Sequence, residues 1–242
     1  MAYRRTPFAP KEWYHIYSRG IDKRTIFDDE YDFQRFKKLL YLANSVKAVD
    51  LESLKNTSYN KIFELPRGST FVAIGAYCLM QNHPHIVLQE KEDGGITSFM
   101  HKLGTAYPAY YNKKYCRIGN LMVKPFRSKH IDTDTYLHRV VQYIHLNPAE
   151  IYEAGWKHGK VKDIRVLEKK LLQYTHSSLP DYFGKEERPE KAIIDPQAYL
   201  LLADNLPPLV SVLTDAAEYY KEISRAFEPQ PRGRPKKVLP FI

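Results

Sequence analysis

Between residues 13 and 148 the apolar positions recur with periods that change from two to about three and a half and back. Trp13–Ser18 (WYHIYS) is short and aromatic, and Gly20 follows it, which predicts a strand. Asp28 or Asp29 then caps a helix that places Phe33, Phe36, Leu40 and Ala43 on one face. Residues 47–69 are polar, contain Pro66 and Gly68, and read as a loop or insert. Phe71–Met80 (FVAIGAYCLM) is an apolar run of strand length, and His85–Gln89 is a second strand. The Gln81-Asn82 break between them predicts an antiparallel hairpin, which Gly94-Gly95 closes. Ile96, Phe99, Leu103 and Tyr107 share a helical phase. Pro108 lacks an N–H and is expected to interrupt or kink that helix. In the looser segment 120–131, Leu121–Val123 is the strand candidate and Phe126–His130 is basic. Asp132-Thr133-Asp134 caps a last helix that runs to about Leu146, and Pro148 follows.

The order is β-α-β-β-α-(β)-α. It predicts an α+β fold of the ferredoxin-like kind, an antiparallel sheet with helices on one face. After Tyr152 the periodicity weakens. Ile164–Tyr174 reads as a short helix, Ser177–Pro189 as irregular, and Pro196–Ala203 and Leu209–Phe227 as helical. Pro229–Ile242 is rich in Pro, Gly and basic residues and is expected to be a flexible tail. The expected organisation is a domain over 1–185, a helical appendage over 186–228 and a tail over 229–242, with no internal repeat.

Composition narrows the class. With 43% hydrophobic and 27% charged residues over 242 positions, the chain is neither disordered nor collagen-like and can bury a core unaided. No apolar run approaches the ~20 residues of a membrane span, so no membrane partner is expected. The start, MAYRRTPFAPKEW, has no apolar stretch of a signal peptide, and Cys78 and Cys116 make no disulfide framework. Both point to the cytoplasm. The net charge of +9 is unevenly spread: +10 over 1–185, −5 over 186–228 and +4 over 229–242. A basic body with 19 Tyr and 11 Phe suits single-stranded nucleic acid, since phosphates need cations and unstacked bases need flat rings. The plainer account is a solvated basic surface around aromatic core residues. The tip, Pro231-Arg232-Gly233-Arg234-Pro235, resembles an AT-hook, which would set Arg232 and Arg234 in an A·T-rich minor groove of duplex DNA. A solubilising or non-specific tail is the alternative.

Two constellations carry candidate chemistry. Asn82-His83-Pro84-His85 opens a strand, where residues two apart share a face, so His83 and His85 project together as two imidazoles chelating one divalent cation would need. Surface or hydrogen-bonded histidines would follow the same pattern. Tyr143-Ile144-His145-Leu146-Asn147-Pro148 ends the last helix, with Tyr143 and Asn147 one turn apart. Leu137, Val141 and Ile144 form a neighbouring apolar stripe, which leaves Tyr143 and Asn147 to face another surface. A phenol becomes a nucleophile when a cation polarises its target and favours the phenolate, and an amide oxygen is a hard ligand for Mg²⁺ or Mn²⁺. Alternatively, Tyr143 packs in the core and Asn147 simply ends the helix.

Together, NHPH on a strand and YIHLNP on a later helix resemble the single-tyrosine HUH transposase family, in particular its REP-associated tyrosine transposase branch. YHIYSRG, FVAIGAYCLMQNHPHIVL, Lys124-Pro125-Phe126-Arg127 and Tyr174–Ser178 (YTHSS) agree in order, so the resemblance covers about residues 10–180. Pro84 departs from the bulky apolar residue usual at that position but keeps the two-residue spacing. The resemblance implies that Tyr143 attacks a phosphodiester of single-stranded or hairpin DNA, giving a 5′-phosphotyrosine link and a 3′-OH that permits rejoining elsewhere. It implies that His83, His85 and Asn147 hold one Mg²⁺ or Mn²⁺, and that the chain can work as a homodimer. Lys124, Arg127 and Lys129 lie just before the helix and are the candidate grips on the DNA backbone. His145 falls on another helical face from Tyr143. Two rivals remain: a non-catalytic binding module like an RNA-recognition sheet, with Trp13, Tyr14 and Tyr17 as stacking rings, and a relaxase-like replication nickase using the same residues.

Overall fold

The computed structural model describes residues 7–50, 53–154, 156, 161–204 and 206–216. Its centre is a four-stranded antiparallel sheet in the order β2-β3-β1-β4. Strand β1 (Trp13–Tyr17) lies between β3 and β4, and helix α1 (Glu30–Leu42) follows it. Asp29 and Asp32 form a reciprocal capping box at the start of α1, each side chain accepting the other's backbone N–H. Phe33, Phe36 and Leu40 are buried as the spacing predicts. Lys37 shares their face and is buried too, its Nζ 2.8 Å from Glu190 Oε1. The predicted insert contains one short helix, α2 (Tyr59–Ile62).

Strands β2 (Val72–Met80) and β3 (His83–Glu90) make the hairpin. Strand β3 begins at His83, two residues before the predicted start. Pro84 is tolerated there because β1 ends opposite His85, so no neighbour on that side needs its missing N–H. A bulge at Gly75 shifts the β2 register between Ile74 and Ala76. That extra residue brings Ala76, Cys78 and Met80 onto the face of His85, where strict alternation would have sent them to the face of Ile74.

Helix α3 (Gly95–Lys114) continues through Pro108 without the interruption that the proline could have caused. Its buried face continues past the proline, with Tyr107 and Tyr111 packed on the α1 side, and this packing holds the helix together. Strand β4 is Arg127–Ile131 and not Leu121–Val123, of which only Met122 forms an isolated bridge, to Gly20. Its sequence, RSKHI, carries the charges of an edge strand.

The one-face expectation for the helices is overturned. Helices α1 and α3 pack on Tyr14, Ile16, Ile74, Tyr77, Ile86 and Leu88. Helix α4 (Asp134–Leu146), capped by Thr133, covers the opposite face through Leu137, Val140, Val141 and Ile144, against Trp13, Ala76, Cys78 and Val87. The sheet has apolar residues on both faces, so both must be covered. After α4 come α5 (Ala149–Tyr152), α6 (Ile164–Leu172), α7 (Leu179–Phe183) and α8 (Pro196–Ala203), with a helical stretch at 209–216. Helix α7 falls in the segment expected to be irregular. Leu167, Leu171, Ala198, Leu202, Val212 and Leu213 join the α4 core, while Ile193 and Ile194 join the other. No helix among the described residues is long and apolar enough to cross a membrane.

Candidate active site

Three strands and one helix end bring the candidate residues together on the α4 face of the sheet. On β3, His83 and His85 share that face, with ring centroids 4.8 Å apart. On β1, Trp13, His15 and Tyr17 point the same way. His15 Nε2 lies 2.8 Å from His85 Nδ1, with no solvent exposure at His15. Tyr17 stacks beside His85 at 6.0 Å. On β4, Arg127 and Lys129 are the register partners of Tyr17 and His15 and so line the same face. Arg127 and Lys124 are exposed; Lys129 is half-buried, its ammonium 5.1 Å from the Tyr136 ring.

Helix α4 delivers Tyr143 from above. Its ring lies edge-on to His85 at 5.9 Å and to His15 at 6.2 Å. The phenol therefore meets histidines of its own chain. Tyr143 and Asn147 do not face a separate surface as expected. Both are buried, at 7% and 3% exposure. Asn147 also ends the helix, its Nδ2 donating to the Tyr143 carbonyl at 3.2 Å. The packing account and the juxtaposition with the histidines thus hold at once.

Burial pushes the Tyr143 phenol well above its ordinary value of 10, and the charges of Glu150 and Tyr17 add to this; a hydrogen bond with the Asn147 side chain pulls the other way. Burial, then the charges of Lys129 and His83, lowers His15 to about 3, so its imidazole is neutral. His145 is likewise lowered to about 3 by burial and then by Arg188. Its Nε2 bonds Ser178 Oγ at 2.8 Å, and Ser178 in turn bonds β2 at Tyr77. His145 thus ties α4 to the segment that edges β2 and stands apart from the site.

Sequence reasoning missed His15. The available signal was its place in WYHIY, in alternating phase with Trp13 and Tyr17. Trp13 and Tyr14, offered above as stacking rings, are 8% and 4% exposed and belong to opposite cores, so neither can take a base. Among the described residues no group of three or more His, Cys, Asp or Glu side chains is arranged to hold a metal ion. Arg232 and Arg234 lie outside the described residues. A cleft of about 700 Å³ lined by Tyr41, Arg67, Lys191 and Tyr199 shares no residue with this site.

No protein-family model and no curated protein matches the chain. A solved structure of a REP-associated tyrosine transposase bound to a REP hairpin is similar at 16% identity, over 78% of this chain and 89% of that one, with a TM-score of 0.42. The likeness is distant and confined to the fold, and it assigns no family.

Proposed function

We propose that the protein cuts and rejoins single-stranded DNA, hairpin DNA in particular, with Tyr143 as the nucleophile. The supporting observation is that the Tyr143 ring, at the end of α4, lies 5.9 Å from that of His85 on β3, beside His83 and one turn from Asn147. The phenol oxygen attacks phosphorus, the P–O3′ bond breaks, and the DNA strand is left as a 3′-OH and a 5′-phosphotyrosine. Attack by another 3′-OH reverses the step and restores the phenol. The phenol must lose its proton to react, and its burial opposes that, so the Asn147 hydrogen bond is one counterweight within the chain. The donor set of two imidazoles and an amide fits one divalent cation, Mn²⁺ better than Mg²⁺, with His83, His85 and Asn147 as its holders. When bound, it would withdraw charge from the phosphoryl oxygens and favour the phenolate. Arg127 and Lys129, on the same sheet face, grip the backbone, and Lys124 adds charge from the exposed loop.

In this reading the sheet is ferredoxin-like, which the β2-β3-β1-β4 order and the placement of α1 and α3 on one face support. Residues 1–185 carry the chemistry, 186–228 are an addition to that body, packed into its two cores through Ile193, Leu202 and Val212, and 229–242 bind A·T-rich duplex. The test is incubation with labelled single-stranded oligonucleotides, with and without hairpins, in Mn²⁺. A denaturation-resistant protein–DNA adduct is expected, and Tyr143→Phe should abolish it while binding DNA nearly as well. An adduct that persists in Tyr143→Phe, or none on any hairpin-flanked strand, would overturn the proposal.

A further inference from the structure

His83 and His85 each have a polar partner at Nδ1. His83 Nδ1 bonds Asn82 Oδ1, and the orientation of that amide is set at its other end, where Asn82 Nδ2 donates to the Lys23 carbonyl at 3.3 Å. An amide oxygen only accepts, so the hydrogen lies on His83 Nδ1 and the lone pair on Nε2. His85 Nδ1 meets His15 Nε2 at 2.8 Å, the two rings stacked at 26°. One hydrogen occupies that contact. If His85 owns it, His85 also presents an Nε2 lone pair. If His15 owns it, His85 carries its hydrogen on Nε2 and cannot bind a cation there. His15 has no solvent exposure, so it does not itself meet DNA.

We propose that His15 and Asn82 are positioning residues that hold His85 and His83 as Nδ1–H imidazoles, so that Nε2 of each is the metal-binding nitrogen. The inference rests on the reading of His83 and His85 as ligands and specifies which atoms do the binding. Each histidine could present either ring nitrogen, and only one of the four combinations offers Nε2 twice. The two partners come from different elements, β1 for His15 and the hairpin turn for Asn82, and they act on neighbouring rings. Partners of this kind are worth about 10–100-fold in metal affinity.

Two measurements on the full chain test this. Nitrogen–proton correlation spectra of the ¹⁵N-histidine-labelled, metal-free protein at about pH 8, where free imidazole is neutral, should show His83 and His85 as Nδ1–H tautomers. An Nε2–H tautomer for His85 in the unsubstituted protein overturns the proposal without any variant. In Mn²⁺ titrations followed by electron paramagnetic resonance, His15→Phe and Asn82→Ala should each weaken binding about tenfold or more. His15→Gln and Asn82→Asp, whose side-chain oxygens still accept, should keep most of it. Unchanged Mn²⁺ affinity in His15→Phe and Asn82→Ala, alongside loss in His83→Ala/His85→Ala, refutes the positioning role alone. Binding that survives in His83→Ala/His85→Ala refutes the ligand reading beneath it.

Discussion

Lys37 sits on the apolar face of α1 at 1% exposure, and its only ionic partner among the described residues is Glu190, in a 3-10 turn over Pro189–Ile193. Tyr59 donates to the same carboxylate oxygen at 2.8 Å, and Lys37 also approaches the Thr175 carbonyl at 3.4 Å. Glu190→Ala leaves a buried ammonium with one weak acceptor. Losing one member of such a pair costs about 3–5 kcal/mol, because the survivor stays desolvated. For a chain of this size each kcal/mol moves the midpoint by about 2–4 °C, so Tm should fall by about 6–20 °C. Replacing both partners with apolar residues, Lys37→Met with Glu190→Leu, removes the stranded charge and should recover most of the loss. Thermal and urea unfolding by far-UV circular dichroism measure both. Burial raises the Glu190 carboxyl, but the Lys37 charge and bond and the Tyr59 bond outweigh it and hold the group below its ordinary value of 4.5. Its stabilisation is therefore full above pH 4.5 and lost as pH falls through the lower folded value, and Glu190→Ala should lack that part of the acid transition. A cost below about 1 kcal/mol, or a double variant no more stable than the single one, would refute the reasoning.

Asp32 has no exposure, and burial pushes its carboxyl up, yet bonds from Lys114, Tyr115, the Asp28 amide and Tyr110 hold it below 3.8. Acid stability should fall as pH drops through that lower value, and Asp32→Asn should flatten the loss in a pH series of melts. Gly75→Ala would place a Cβ 2.9 Å from Leu202 Cδ1 and 3.0 Å from the Trp13 ring, so a loss of about 1–3 kcal/mol is expected by urea titration. Arg127→Ala and Lys129→Ala should weaken single-stranded DNA binding for all sequences alike and each reduce the salt slope by about one, read by fluorescence anisotropy.

Much of this architecture was legible because its signals are local. The Asp29 cap, the hairpin break at Gln81-Asn82 and the Thr133 cap each lie within a few residues of the elements they bound. What was hidden depends on partners distant in the chain. RSKHI has no strand pattern of its own and becomes β4 only by pairing with β1. Pro108 breaks an isolated helix, but here Tyr107 and Tyr111 are anchored from the other side of the core. Sequence reasoning passed over Lys37, which shares the face of Phe33, Phe36 and Leu40, and only the fold identifies Glu190 as its partner. At the site, the spacing of His83, His85, Tyr143 and Asn147 was readable, whereas the contact between His15 and His85 exists only once β1 and β3 have paired in this register.

The assembly of the α4 face also bears on synthesis. Both histidines and β1 leave the ribosome well before α4, and the core that seats α4 draws on Leu167, Leu202 and Val212 as well. A nascent chain therefore holds the histidine half of the site while its tyrosine is still missing or loosely placed. Helix α4 is locked against the sheet only when nearly the whole body has emerged, so a ribosome stalled midway through the message carries a fragment without Tyr143.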